Sequence, residues 1–237
     1  MRKRLDVLLV ERGLAESRAQ AQALVMAGLV HGYEKAGQQV DESAELVVER
    51  PPRFVSRGGD KLAHALEELG VDPAGRDALD VGASTGGFTD VLLQRGAARV
   101  IALDVGRGQL HERLRNDPRV TVLERTNARE LTELPFAPDL VTCDVSFISV
   151  RTALPPALRL AKPGWEALVL VKPQFEAGRE EVGKGGVVRD PAVHERVCAE
   201  AKGWVETQGW TVLGISPSPI TGPEGNVEFL LGAEKDG

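Results

Sequence analysis

Cysteine is nearly absent from this sequence: Cys143 and Cys198 are the only two in 237 residues. Two thiols build no disulfide framework and complete no zinc site. The four histidines, His31, His64, His111 and His194, show no metal-ligand spacing, so no metal is expected. No apolar run approaches the roughly 20 residues of a membrane span. The basic, apolar start MRKRLDVLLVERG is interrupted by Asp6, Glu11 and Arg12 and makes a poor signal peptide, so a cytoplasmic protein is expected. An excess of positive charge is missing too. Against 29 Lys and Arg stand 35 Asp and Glu, a net charge of −6. No global field advertises nucleic acid, and binding to RNA would need a local patch.

What is present is an ordinary globular composition, 42% hydrophobic and 27% charged, in a chain long enough to bury a core. Residues 1–50 read as a separate small α+β unit. RLDVLLVERG is a short helix with Leu5, Leu8 and Leu9 inward and Gly13 at its end. Ser17 caps a second helix whose apolar stripe is Ala21, Leu24 and Val25. Strand-like pieces LVHG and ELVVE follow. Two prolines in RPPRFVSRGG block regular structure and predict a linker over 51–59.

From residue 60 to 237 helices and strands alternate. DKLAHALEELG is a helix. Strands are expected at 78–81, 100–104, 120–123, 140–144, 168–171, 211–215 and 227–231, with helices at 89–94 and 194–208 among those between them. The pattern predicts an α/β fold, a mostly parallel seven-stranded sheet covered on both faces. The glycine-rich, charged stretch 176–190 is expected to be a mobile loop.

In such a sheet ligands bind where strands end, and DVGASTG stands at such an end. The dinucleotide pattern G-x-G-x-x-G lacks its middle glycine here, and no Walker signature is present. The stretch fits D-x-G-x-G-x-G with serine in the middle: Asp80, Gly82, Ser84, Gly86. That pattern resembles motif I of S-adenosylmethionine-dependent methyltransferases, whose ligand has no phosphate to cradle. Asp104, at the end of the second strand and about 20 residues on, is placed to hold ribose hydroxyls.

A second constellation is Lys61 in SRGGDKL, Asp144 in CDVSFIS, Lys172 in VKPQFE and Glu228 in GPEGNVEF. The four resemble the Lys-Asp-Lys-Glu tetrad of FtsJ-like ribose 2′-O-methyltransferases. With the N-terminal unit, and with all these motifs in order, nearly the whole chain resembles the TlyA family. That resemblance implies an RNA-binding domain of the kind named after small-subunit ribosomal protein four, followed by a Rossmann-like class I methyltransferase domain. It implies S-adenosylmethionine as cofactor, ribosomal RNA or ribosomal subunits as partner, and 2′-O-ribose methylation as the activity. Cofactor contacts would come from Asp80, Gly82, Ser84, Gly86, Phe88, Asp104, Asn127, Ala128 and Asp144. Methyl transfer is an in-line displacement by a hydroxyl, whose proton leaves at or after attack. A lysine made less basic by burial and a neighbouring cation can steer or accept a proton. Lys172 takes that role here, oriented by Asp144, with Lys61 as the neighbouring cation held by Glu228.

On the RNA side, Arg4 and Arg18 stand at the starts of the two N-terminal helices, with Arg2, Lys3 and Arg12 nearby. Arg53, Arg57, Arg179, Lys184 and Arg189 would extend the track towards the active site. HGYEKAGQQVD lacks the Asn-Gly hairpin expected of such a domain. Two other classes compete. A membrane-active hemolysin, a name the family also carries, is opposed by the acidic charge and the missing span. A non-catalytic RNA-binding protein is opposed by the intact tetrad.

Overall fold

The computed structural model describes residues 2–49 and 52–236. The chain divides into two compact units, Met1–Pro52 and Arg53–Gly237.

In the first unit β1 (Arg2–Arg4) leads into α1 (Leu5–Glu11). Then come α2 (Arg18–Met26) and β2 (Gln39–Asp41), which pairs antiparallel with β1. Leu5, Leu8 and Leu9 are buried with Ala21, Val25, Val30 and Val40 in the unit's own core, as the apolar spacing predicts. Ser17 Oγ accepts from Gln20 N (3.2 Å) and caps α2. The strand expectation needs correction. LVHG and ELVVE meet only at a single bridge, Val30 with Val48. The two-stranded ladder is instead built with Arg-Lys-Arg, a sequence with no apolar alternation to signal a strand.

The second unit begins at Arg53, inside the segment expected to be a linker. Phe54 is buried, its ring seated where a Cβ on Gly59 would collide. Val55 N donates to Asp90 (2.9 Å). The elements are α3 (Gly58–Glu68), β3 (Asp77–Val81), α4 (Gly87–Gln94), β4 (Arg99–Leu103), α5 (Glu112–Arg115), β5 (Val120–Leu123), β6 (Leu140–Cys143), α6 (Val150–Arg159), β7 (Glu166–Val171), α7 (Pro173–Glu176), α8 (Pro191–Thr207), β8 (Thr211–Pro217) and β9 (Phe229–Glu234). The seven strands form one sheet in the order β5-β4-β3-β6-β7-β9-β8, parallel except for β9. Both faces of the sheet are covered, and so the parallel strands are mostly apolar runs rather than alternating ones, with Asp80 and Thr142 as buried polar exceptions. Val141, Cys143, Val169 and Val171 face one layer with Leu154 and Leu158 of α6 and Val197 and Ala201 of α8. Leu140, Leu168 and Leu170 face the other with Leu62 and Leu66 of α3 and Val91 and Leu92 of α4.

Two features place the site. After β3 the chain adds β4 and β5 on one side and β6 and β7 on the other, so a crevice opens at the ends of β3 and β6. Reversed β9 pairs Phe229 with Val171. Its beginning therefore lies beside the end of β7, and the residue before it, Glu228, lies beside Lys172. The expected strand at 227–231 is shifted by two residues, which leaves Glu228 outside the ladder. Among the described residues no helix is long and apolar enough to cross a membrane.

Because the first unit has its own core, Leu9→Ala should cost it about 2–5 kcal/mol. Hydrogen exchange should show protection lost from α1 and α2 amides while β3 amides keep theirs. Equal loss in both would contradict separate cores.

Candidate active site

The loop after β3 must turn sharply from strand to helix. Gly82 (φ +84°), Ser84 (φ +48°) and Gly86 (φ +97°) take left-handed backbone. At Gly82 no other residue fits, because a Cβ would strike the carbonyl of Asp144. Gly86 precedes α4, whose N-terminus no side chain caps. Loop residues Gly82, Ala83, Ser84 and Thr85, with Gly87 and Phe88, line a cavity of about 310 Å³. Its other walls are Ser56, Arg57, Gly58 and Lys61 from the start of α3, Asp144 and Ser146 after β6, Lys172 after β7, and Ile220, Thr221, Pro223 and Glu228 before β9.

The four charged residues of the expected tetrad therefore share one cavity, as two ion pairs. Lys61 contacts Glu228, whose side chains are 9% and 2% exposed. Lys172 Nζ lies 2.5 Å from Asp144 Oδ1 and donates to Ser146 Oγ (3.1 Å). Charges this buried are tolerable only when paired, and each lysine here has a carboxylate.

Other expected site residues fall elsewhere. Asp80 is fully buried beneath the loop and does not reach the cavity. It accepts from Thr89 Oγ1 (2.7 Å) and Thr142 Oγ1 (3.0 Å). Burial, against these hydrogen bonds, pushes its carboxyl up to about 7. Asp80 thus braces β3, β6 and α4 from below the loop. Asp104 accepts from Ser84 N (2.8 Å) and Gly106 N (2.7 Å) in a separate small recess beside the loop. Asn127 lies in a groove beyond β5. Its amide is engaged locally, accepting from Arg129 N (3.2 Å) and donating to Glu130 (3.0 Å). Ala128 begins the short 3₁₀ turn that follows.

Of the expected RNA contacts, Arg4, Arg18, Arg53, Arg179, Lys184 and Arg189 are exposed. Arg53 lies over the Phe54 ring (5.1 Å). Arg57 lines the cavity itself. The stretch 176–190 is pinned: buried Asn226 accepts from Val188 N (3.0 Å) and donates to Gly186 O (2.9 Å). Sequence reasoning missed Ser146, although it sits two residues after Asp144 in CDVSFIS. It also missed Phe147, which is 91% exposed with a left-handed φ of +66°. That ring packs at 5.2 Å on Phe175, three residues after Lys172.

Comparison with known proteins shows the family of both units. The family model described as FtsJ-like methyltransferase matches residues 54–235, and that of the S4 domain matches residues 3–31. The 16S/23S rRNA (cytidine-2′-O)-methyltransferase TlyA of Mycobacterium tuberculosis is 50% identical, over 97% of this chain and 89% of its own. Hemolysin A of Brachyspira hyodysenteriae is 38% identical, over 96% and 98%. A crystal structure of a hemolysin-named protein from Lactococcus lactis superposes with a TM-score of 0.76 at 46% identity, over 79% and 91%.

The buried Asp80 carries a pH signature. An unfolded aspartate titrates near 4, while Asp80 in the fold titrates at about 7. Between these values the folded state holds the extra proton, so this group makes stability fall as pH rises from about 4 to about 7 and adds no further slope above. Asp80→Asn should remove that share. The difference in melting temperature between wild type and variant should change across this window, and a constant difference would refute the assignment.

Proposed function

Because the chain belongs to the FtsJ-like methyltransferase family and carries an S4 domain ahead of that fold, we propose that it uses S-adenosylmethionine to methylate a ribose 2′-hydroxyl of ribosomal RNA. The observation that carries the reading is the pair of ion pairs, Lys61 with Glu228 and Lys172 with Asp144, in the wall of one cavity beside the loop after β3. The M. tuberculosis relative, named as a 16S/23S rRNA (cytidine-2′-O)-methyltransferase, supports the choice of substrate.

The residues present fit the cofactor. The left-handed loop and the uncapped start of α4 offer backbone amides to a carboxylate, and Asp144 offers an anion to an ammonium group. Gly82, Ser84, Gly86, Phe88 and Asp144 would hold the amino-acid end. Each Asp104 oxygen accepts one backbone N–H and keeps capacity for a ribose hydroxyl. Asn127 and Ala128 would face the adenine. When bound, S-adenosylmethionine supplies an electrophilic methyl group on a sulfonium.

The chain's own groups do the rest. Lys61, held by Glu228, and Lys172, held by Asp144 and Ser146, fix the attacking hydroxyl. Lys172 would take up the hydroxyl proton only as a neutral amine, having first released its own proton to solvent, while the methyl–sulfur bond breaks and the methyl–oxygen bond forms. As an ammonium ion paired with Asp144 it would position the hydroxyl. Much of the rate comes from this positioning. Exposed Phe147, packed on half-buried Phe175, gives an adjoining aromatic face on which a base can stack.

Calorimetry should show S-adenosylmethionine binding that Asp104→Ala weakens by about 1–3 kcal/mol, the cost of unpaired buried polar groups. Wild-type protein freed of carried-over ligand that binds neither cofactor nor its demethylated product would refute the cofactor assignment.

Lys172→Met keeps length and packing but can neither donate nor accept the proton. Single-turnover methylation of rRNA should slow by about 10²–10⁴-fold with cofactor affinity retained. A near-normal rate would overturn the mechanism. Lys172→Arg keeps the charge but is no base near neutral pH. Retained activity in that variant would make Lys172 a positioning cation only.

A further inference from the structure

An acidic residue lies at the centre of the basic patch of the first unit. Asp6, in the first turn of α1, is fully buried. It accepts from Arg4 at both oxygens (Nε 3.0 Å, Nη2 2.9 Å), from Arg18 Nη2 (3.1 Å) and from Gln22 Nε2 (3.0 Å). Arg4 ends β1, while Arg18 and Gln22 lie one turn apart on α2. Both guanidinium groups touch one oxygen, Asp6 Oδ2, yet their side chains remain 46% and 57% exposed. The Arg4 guanidinium, followed by Gln22 and Arg18 against the cost of burial, holds the Asp6 carboxyl well below the usual carboxylate range.

Neighbouring bases are engaged differently. Lys3 is paired with Glu11 (2.8 Å) and Glu42 (3.2 Å). Arg12 donates to the carbonyls of Ala44 (2.6 Å) and Glu42. Arg4 and Arg18, by contrast, form with Asp6 a cluster of two cations on one anion. They keep most of their five N–H groups each for another acceptor.

We propose that Asp6 is a positioning residue for RNA: it fixes Arg4 and Arg18 side by side as a preformed receptor for a backbone phosphate. The proposal rests on the reading of this chain as an RNA methyltransferase. A free arginine side chain carries substantial rotamer entropy, and ordering it before binding removes that cost from association. The two mechanisms predict opposite signs. If only net charge mattered, removing an anion from beneath the patch would tighten binding to a polyanion. If Asp6 positions the arginines, removing it loosens binding.

The test is the affinity of the full chain for a labelled ribosomal RNA transcript, measured across a salt series. Arg4→Gln and Arg18→Gln should each weaken binding and lower the salt slope by about 0.7–0.9, the share of one phosphate contact. Asp6→Asn should weaken binding about tenfold, equivalent to about 1.4 kcal/mol, with the slope nearly unchanged because no cation is lost. Cofactor affinity should stay at the wild-type value. In an Arg4→Gln, Arg18→Gln background, Asp6→Asn should add nothing, whereas damage to the fold of the unit would add further loss. Arg4→Lys keeps the charge but not the two-point grip, and should lose affinity comparably. This arm decides the matter if Asp6→Asn fails to fold. Affinity equal to or above wild type in Asp6→Asn, or full affinity in Arg4→Lys, overturns the proposal while the RNA reading stands. Unchanged affinity in both glutamine variants overturns the RNA role of this unit, and the proposal with it.

Discussion

Everything at the site depends on the need to pair charge where water is excluded. Four ionised groups sit in the wall of one cavity, three of them almost fully buried. Unpaired, each would cost several kcal/mol. The fold meets this by placing each lysine against a carboxylate from another segment. Lys61, on α3, meets Glu228, just before β9. Lys172 and Asp144 end adjacent strands β7 and β6. Each pairing is possible only in the assembled sheet, so the groups that define the chemistry also report that the fold has closed.

The antiparallel direction of β9 is the architectural part of that solution. In a wholly parallel sheet the residue before a strand lies at the edge opposite the crevice. Reversal brings Glu228 to the same edge as the ends of β6 and β7, through the register of Phe229 on Val171. Beneath the cavity, Asp80 performs a different service. It does not line the cavity, and its two threonine hydrogen bonds join β3, β6 and α4 under the loop. Glu176 similarly accepts from Ser149 Oγ (2.6 Å) and Val150 N (2.8 Å), joining the segments that carry Lys172 and Asp144.

Charge economy explains why net charge is a poor guide to what this protein binds. Many arginines are spent internally. Arg113 pairs with buried Asp90, and Arg99 with Asp77 while lying over the Phe136 ring (3.9 Å). What matters for a polyanionic partner is the disposition of the few cations whose donors stay open, such as Arg4 and Arg18. A chain with a net charge of −6 can therefore present a positive face.

The sequence by itself determined the helix–strand alternation, the glycine loop after β3 and the inward leucines of α1, while the tetrad was pointed to by resemblance to the FtsJ-like family. Local patterns carry the first three: buried parallel strands are mostly apolar, tight turns need glycine, and capped helices start at residues such as Ser17. It did not disclose β1, whose Arg-Lys-Arg has no strand pattern, or α6, whose Pro155 and Pro156 would ordinarily argue against a helix. Nor did it separate residues that line the cavity from those that only support it. Asp80 and Asp144 both lie near strand ends in acidic motifs, but Asp80, inside β3, pairs in register with Thr142 and sits beneath the loop, whereas Asp144 follows β6 and enters the cavity. The tertiary structure alone decided that Phe54 belongs to the second unit's core, that Arg57 faces the cavity, and that Asp6 gathers Arg4 and Arg18. Each of these depends on contacts between segments distant in the chain or on different elements, and local periodicity carries no information about such contacts.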